Sequence, residues 1–62
     1  MKKVYQPNLL ETIHPIVITG SAIRGGTIVT ITGQVNDPLG KFVYIEDDKG
    51  NRMSVNKGSL RK

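Results

Sequence analysis

From Thr27 onward the chain alternates apolar and polar residues in three runs separated by short turn signals. Thr27 to Val35 reads T-I-V-T-I-T-G-Q-V, Lys41 to Asp47 reads K-F-V-Y-I-E-D, and the shorter Asn51 to Asn56 reads N-R-M-S-V-N. A period of two predicts strands with one buried face. Connections too short for a crossover helix make those strands antiparallel. Upstream, the β-branched run Ile16 to Thr19 after Pro15 predicts another strand. Lys2 to Gln6 extends as a short strand or arm before Pro7. Asn8 and Glu11 have the spacing of a capping box, so a helical turn over Leu9 to Ile13 is expected to lay Leu9, Leu10 or Ile13 over one end of the core.

The connections carry their own chemistry. Gly20 to Gly26 (G-S-A-I-R-G-G) is a loop with Arg24 at its tip, because three glycines in seven residues weaken any regular element. Asn36 to Gly40 has the residue order of a type I turn, with Asp before Pro and a closing Gly. Asp48-Lys49-Gly50 is a tight hairpin in which Gly50 takes a positive φ.

The phase of each strand decides which residues are free to bind. On the first long strand Val29, Ile31, Gly33 and Val35 are expected inward, with Ile28, Thr30, Thr32 and Gln34 outward. On the next, continuity with neighbouring Val and Ile places Val43 and Ile45 inward with Met53, Val55 and Leu60, leaving Phe42 and Tyr44 outward. The alternative buries Phe42 and Tyr44 instead.

Sixty-two residues make one domain, 1–62, near the lower limit for a self-sufficient core; residues 1–12 are expected to form a less ordered N-terminal arm or peripheral segment, and 1–6 to add little to folding. Self-association into a homo-oligomer would help so small a core. There is no Cys for a disulfide or a thiolate metal site. The apolar stretch Ile13 to Ile18 is too short to span a bilayer, and Met1-Lys2-Lys3 lacks the apolar region of a signal peptide. A cytoplasmic protein without membrane contact is expected. Nine Lys and Arg against five Asp and Glu give a formal charge of +4, which favours anionic partners unless the terminal lysines and arginines serve solubility alone.

The order loop, long strand, short turn, strand, tight hairpin, strand, helical turn and last strand resembles an SH3-like small barrel, most closely from Gly40 to Lys62. Gly40-Lys41-Phe42 matches the aromatic after the loop, Asp48-Lys49-Gly50 the distal hairpin, and Val55, Asn56 to Ser59 and Leu60 the closing strand, turn and strand. The resemblance implies an all-β fold, a single small antiparallel SH3-like barrel of about five strands. The acidic-aromatic motif of peptide-binding members is missing, no Trp follows the loop, and Asn56 stands where those members have Pro, so proline-rich ligands are not implied. Val29 to Val35 followed by Phe42 to Gly50 also resembles the first strands of an OB-fold, although only six residues follow Asn56. The Gly26 to Gly33 strand resembles a KOW-type domain, from which the glycine spacing after Gly33 departs. Both imply nucleic-acid contact.

Catalysis is not expected. His14 is the only imidazole, alternation turns Glu46, Asp47 and Asp48 to opposite faces, and no Gly-Lys-Ser/Thr follows the glycines at 20, 25 and 26. No cofactor or metal is implied. A non-enzymatic protein that docks on a larger protein complex and modulates or inhibits it is favoured, of the size and sparse motif content of phage-type and plasmid-type regulators. The alternative is a basic RNA- or DNA-binding barrel in which an aromatic platform stacks on bases inside a basic rim. In either case the surface is expected at Phe42, Tyr44 and Arg52, with Arg24 and Lys41 at its rim and Ile28 exposed nearby.

Overall fold

The computed structural model describes residues 2–61. In chain order these form β1 (Lys2–Tyr5), α1 (Leu9–Ile13), β2 (Ile16–Thr19), β3 (Ile28–Gln34), β4 (Phe42–Glu46), β5 (Arg52–Asn56), a 3-10 turn (Lys57–Ser59) and β6 (Leu60–Arg61). All six strands join one antiparallel sheet in the order β2-β5-β4-β3-β1-β6. The fold is all-β, as the alternation predicts. The sheet is not closed: β2 pairs only with β5 and β6 only with β1, so both are edges.

The core follows the inward phase of the central strands. Val29, Val43, Ile45, Met53 and Val55 are buried, with Ile31 and Leu60 packed against them. Val43 faces Val55 and Ile45 faces Met53 across the β4/β5 ladder, which places β-branched and thioether side chains in direct cross-strand contact. Phe42 and Tyr44 lie on the opposite face.

Two residues enter this core from segments with no alternation. Tyr5, at the end of β1, is 1% exposed. β1 pairs with β3 through Lys2, Lys3 and Val4, and with β6 through Val4 and Tyr5, so it lies inside the sheet. The expectation that 1–6 adds little to folding therefore fails, because Tyr5 supplies one of the largest fully buried side chains. Ile23, the one large apolar residue of the glycine loop, is also buried, and its N–H donates to Met53 Sδ at 3.0 Å.

The capping box forms as the spacing predicts: Asn8 Oδ1 accepts from Glu11 N at 2.8 Å, and Asn8 N donates to Glu11 Oε1 at 3.2 Å. The helix does not cover the core. Leu9, Leu10 and Ile13 are all exposed, because α1 is fastened by its polar side instead. Glu11 Oε2 accepts from Asn56 N at 2.7 Å, and Oε1 accepts from the hydroxyl of the buried Ser59. One carboxylate thus caps its own helix and ties it to the 3-10 turn before β6.

The phase of β3 breaks where the sequence places Gly33. Ile31 opposes Ile45, but a bulge follows, so that Gly33 opposes Tyr44 and Gln34 opposes Val43. Gly33 was expected inward and lies instead on the Tyr44 face. A Cβ there would meet the Tyr44 ring at 3.5 Å, an ordinary contact, so the ring itself does not require glycine at the bulge.

The turns follow their residue order. Gly40 N donates to Asp37 O at 3.2 Å, and Gly40 has φ +62°. At the second hairpin Asp47 Oδ1 accepts from Lys49 N and Asn51 N at 2.9 and 2.8 Å, and Gly50 has φ +87°. Asn51 extends this turn: its Nδ2 donates to Asp47 Oδ2 at 2.8 Å and its Oδ1 accepts from Ser21 N at 2.9 Å. Gly20, at φ +82°, lies against that Asn51 amide, where any Cβ would collide with Oδ1. Gly20→Ala is expected to destabilise by about 2 kcal/mol, since it combines a left-handed backbone with loss of the Asn51 to Ser21 bond. A urea midpoint measures it, and an unchanged midpoint would mean that the loop is not held by Asn51.

Candidate binding surface

β4 and β5 present alternate residues on the face away from the core: Phe42, Tyr44 and Glu46 from β4, opposite Asn56, Ser54 and Arg52 from β5. Ile16 of β2 continues this row beside Ser54. Phe42 and Tyr44 are half-buried, and Arg52 is exposed. Tyr44, Arg52, Thr32 and Ile18 line a shallow depression of about 210 Å3. Ile18 reaches it because it shares the strand phase of Ile16, two residues before it. Arg52 Nε lies 3.6 Å from Glu46 Oε2, a pair that two partly exposed side chains hold loosely.

The sequence-predicted residues do not all meet there. Phe42, Tyr44 and Arg52 share the face. Arg24 lines a separate cleft of about 520 Å3 between the glycine loop and the Asp48 hairpin, with Asp47, Asp48 and Lys49 among its walls. Lys41 precedes β4, and its carbonyl accepts from Lys57 N at 2.9 Å, which places it at the 3-10 turn. Ile28 opposes Val4 at the start of β3 and lines a third cleft with Lys2, Thr30, Glu46, Asp47 and Asp48. Ile18 and Thr32 join Tyr44 though neither was named for the site: Thr32 was expected outward by alternation, and Ile18 shares the phase of Ile16, but no sequence signal sets β2 beside β5.

The carboxylates are largely spoken for by the fold. The Asn51 side-chain amide, foremost, then the backbone N–H groups of Asn51 and Lys49 and the Lys49 charge, hold the Asp47 carboxyl below the usual carboxylate range, outweighing the opposing effect of burial. Asp37 Oδ2 accepts from Leu39 N at 3.2 Å, and Glu11 is committed to α1 and the 3-10 turn. Among the described residues no three His, Cys, Asp or Glu side chains are placed to hold a metal ion, and no helix is long and apolar enough to cross a membrane. His14 is exposed at the end of α1, where its N–H donates to Leu10 O at 2.8 Å.

Tyr5 carries the other displaced acidity. Burial, and then the nearby negative charge of Glu11, push its phenol from 10.0 up to about 12. Its hydroxyl has no hydrogen-bond partner. The folded state therefore holds the phenolic proton that the unfolded chain gives up first, so this part of the stability is complete below pH 10 and declines as pH rises toward about 12. Tyr5→Phe is expected to match or exceed the parent at neutral pH, because a buried, unpartnered hydroxyl is removed, and to flatten the alkaline decline. Urea midpoints of the two chains across that range measure both effects; parallel alkaline declines would contradict the assignment.

Comparison with protein-family models, with curated proteins and with solved structures returns no match.

Proposed function

We propose that this chain is a small SH3-like binding protein without catalytic activity, which docks on a larger protein in the cytoplasm and modulates it through the Phe42, Tyr44 and Arg52 face. The SH3-like reading is supported by the final strand, which returns beside β1 after a helical turn, and by the tight hairpin between β4 and β5. The observation that carries the partner class is the Arg52 to Glu46 pair beside Tyr44. It leaves the aromatic face close to neutral, with Ile16 and Ile18 continuing it. A protein hot spot built from aromatic and Arg anchors suits such a face, whereas a phosphate chain would meet Glu46 there.

Nucleic-acid binding is favoured by a different observation. Among the described residues Lys2, Lys3, Arg24, Lys41, Lys49 and Lys57 make no ion pair, while Glu11, Asp37 and Asp47 are held by backbone N–H groups. The free cations are spread over several sides of the molecule and do not line the aromatic face, which ranks this reading second.

A Phe42→Ala, Arg52→Ala double variant is expected to keep the fold, since neither side chain belongs to the core. It should lose at least about 2 kcal/mol of partner affinity, roughly thirtyfold in Kd. Titration of the parent and the variant against the captured partner measures this. A native-like variant that binds as the parent does would place recognition elsewhere.

A further inference from the structure

The depression between Ile18, Thr32, Tyr44 and Arg52 combines an apolar wall with several hydrogen-bond donors. Ile18 and the Tyr44 ring supply the wall. The Tyr44 and Thr32 hydroxyls and the Arg52 guanidinium supply the donors, and among the described residues none of the three makes a hydrogen bond. Arg52 is engaged through Nε, which lies 3.6 Å from Glu46 Oε2, an ion pair beyond ordinary hydrogen-bond length. A guanidinium presents its N–H donors in a rigid fork, so the edge formed by the two terminal nitrogens stays open while Nε keeps Glu46. The Arg52 side chain is 55% exposed, which makes that edge accessible to a ligand.

Resting on the docking face proposed above, we infer that this depression takes an apolar C-terminal residue of the partner protein. The side chain of that residue lies against Ile18 and Tyr44. Its carboxylate lies on the terminal nitrogens of Arg52, with the Tyr44 or Thr32 hydroxyl as a further donor. Three features select this ligand. The first is size: a hollow of about 210 Å3 is below the roughly 300 Å3 at which pockets for drug-sized ligands begin, so it admits one residue and not a helix or strand. The second is charge complementarity. Unengaged donors beside an apolar wall suit an acceptor that carries its own apolar group, and a formal charge of +4 attracts an anion. A singly charged carboxylate is also tolerated beside Glu46 better than a phosphate group, whose charge of about −2 is repelled about twice as strongly. The third is reach. Wall and guanidinium border one small hollow, and a C-terminal residue carries both complementary groups on a single Cα. In an extended internal segment, an Asp or Glu and its apolar neighbour point to opposite faces.

The test titrates the purified chain with N-acetylleucine, with its amide, and with an aspartyl-leucine dipeptide acetylated and amidated at its ends, followed by amide chemical shifts. N-acetylleucine is expected to shift residues 18, 32, 44 and 52 saturably, with a Kd of about 1 to 10 mM for so small a ligand. Capping its carboxylate as the amide should weaken binding about tenfold. Arg52→Gln should abolish that difference between acid and amide with an otherwise native spectrum, whereas Lys57→Gln, away from the depression in the 3-10 turn, should preserve it. Absence of a saturable shift, shifts centred outside the depression, or equal binding of acid and amide would each overturn the inference. Binding of the capped dipeptide as tightly as the acid would overturn it in favour of a side-chain carboxylate. The docking face is judged separately. If the leucine probes fail while the Phe42→Ala, Arg52→Ala variant loses the captured protein, this inference falls and the docking face stands; a double variant that still holds that protein removes the docking face, whatever the probes do.

Discussion

Tyr5→Ala is expected to unfold most of the protein. Truncating a fully buried aromatic costs about 3 to 5 kcal/mol, and the total stability of a 62-residue domain is about 3 to 9 kcal/mol. The loss should be felt at both ends of the chain. Tyr5 N donates to Thr27 O at 2.9 Å, Gly26 N donates to Tyr5 O at 2.7 Å, and the next residue, Gln6, donates to Ser59 O at 2.7 Å. Removing residues 1–6 should act in the same direction and more strongly, since β3 and β6 would lose the strand between them. Proton spectra of both chains decide it: collapse of the dispersed amide signals is expected, and a near-native spectrum of the shortened chain would mean that β1 is dispensable.

Ile45→Ala is expected to cost about 3 to 4 kcal/mol, because Ile45 is wholly buried on β4 and faces Met53 and Ile31 across its two ladders. Phe42→Ala, on the other face of the same strand, should cost well under half as much. The ratio between the two is more diagnostic than either value, since it reports which face of β4 the core occupies. Similar urea midpoints for the two variants would place Phe42 and Tyr44 in the core.

Where alternation persists, the core was legible from sequence. Val29, Val43, Ile45, Met53 and Val55 share one phase of three neighbouring strands, and the structure buries all five. Turn chemistry was largely legible, since Asn8 with Glu11 and Asp37 with Gly40 each specify a local hydrogen-bond pattern, and Gly50 takes the positive φ expected of the Asp48-Lys49-Gly50 hairpin, although Asp47 rather than Asp48 accepts its turn bonds. Tyr5 and Ile23 were not legible: one ends a four-residue strand and the other is a lone apolar residue among glycines, and neither segment is long enough to display a period. The outward face of α1 escaped for another reason. Its fixation depends on Glu11 reaching Asn56 and Ser59, forty-five and forty-eight residues away, and no local pattern announces such a contact. The bulge in β3 shifts phase within the strand, which moved Gly33 to the aromatic face, while Ile18 comes to Tyr44 through the pairing of β2 with β5, which no local pattern marks.

The docking proposal turns on partner class, and capture from cell extract with and without nuclease tests it most directly when the Phe42→Ala, Arg52→Ala variant is run alongside. The expected result is a protein retained by the parent after nuclease treatment and at raised salt, and lost by the folded double variant. An apolar hot spot tolerates salt, whereas phosphate contacts weaken steeply with it. Retention that vanishes with nuclease, or falls steeply with salt while the double variant binds as the parent does, would contradict the proposal and assign the chain to nucleic acid.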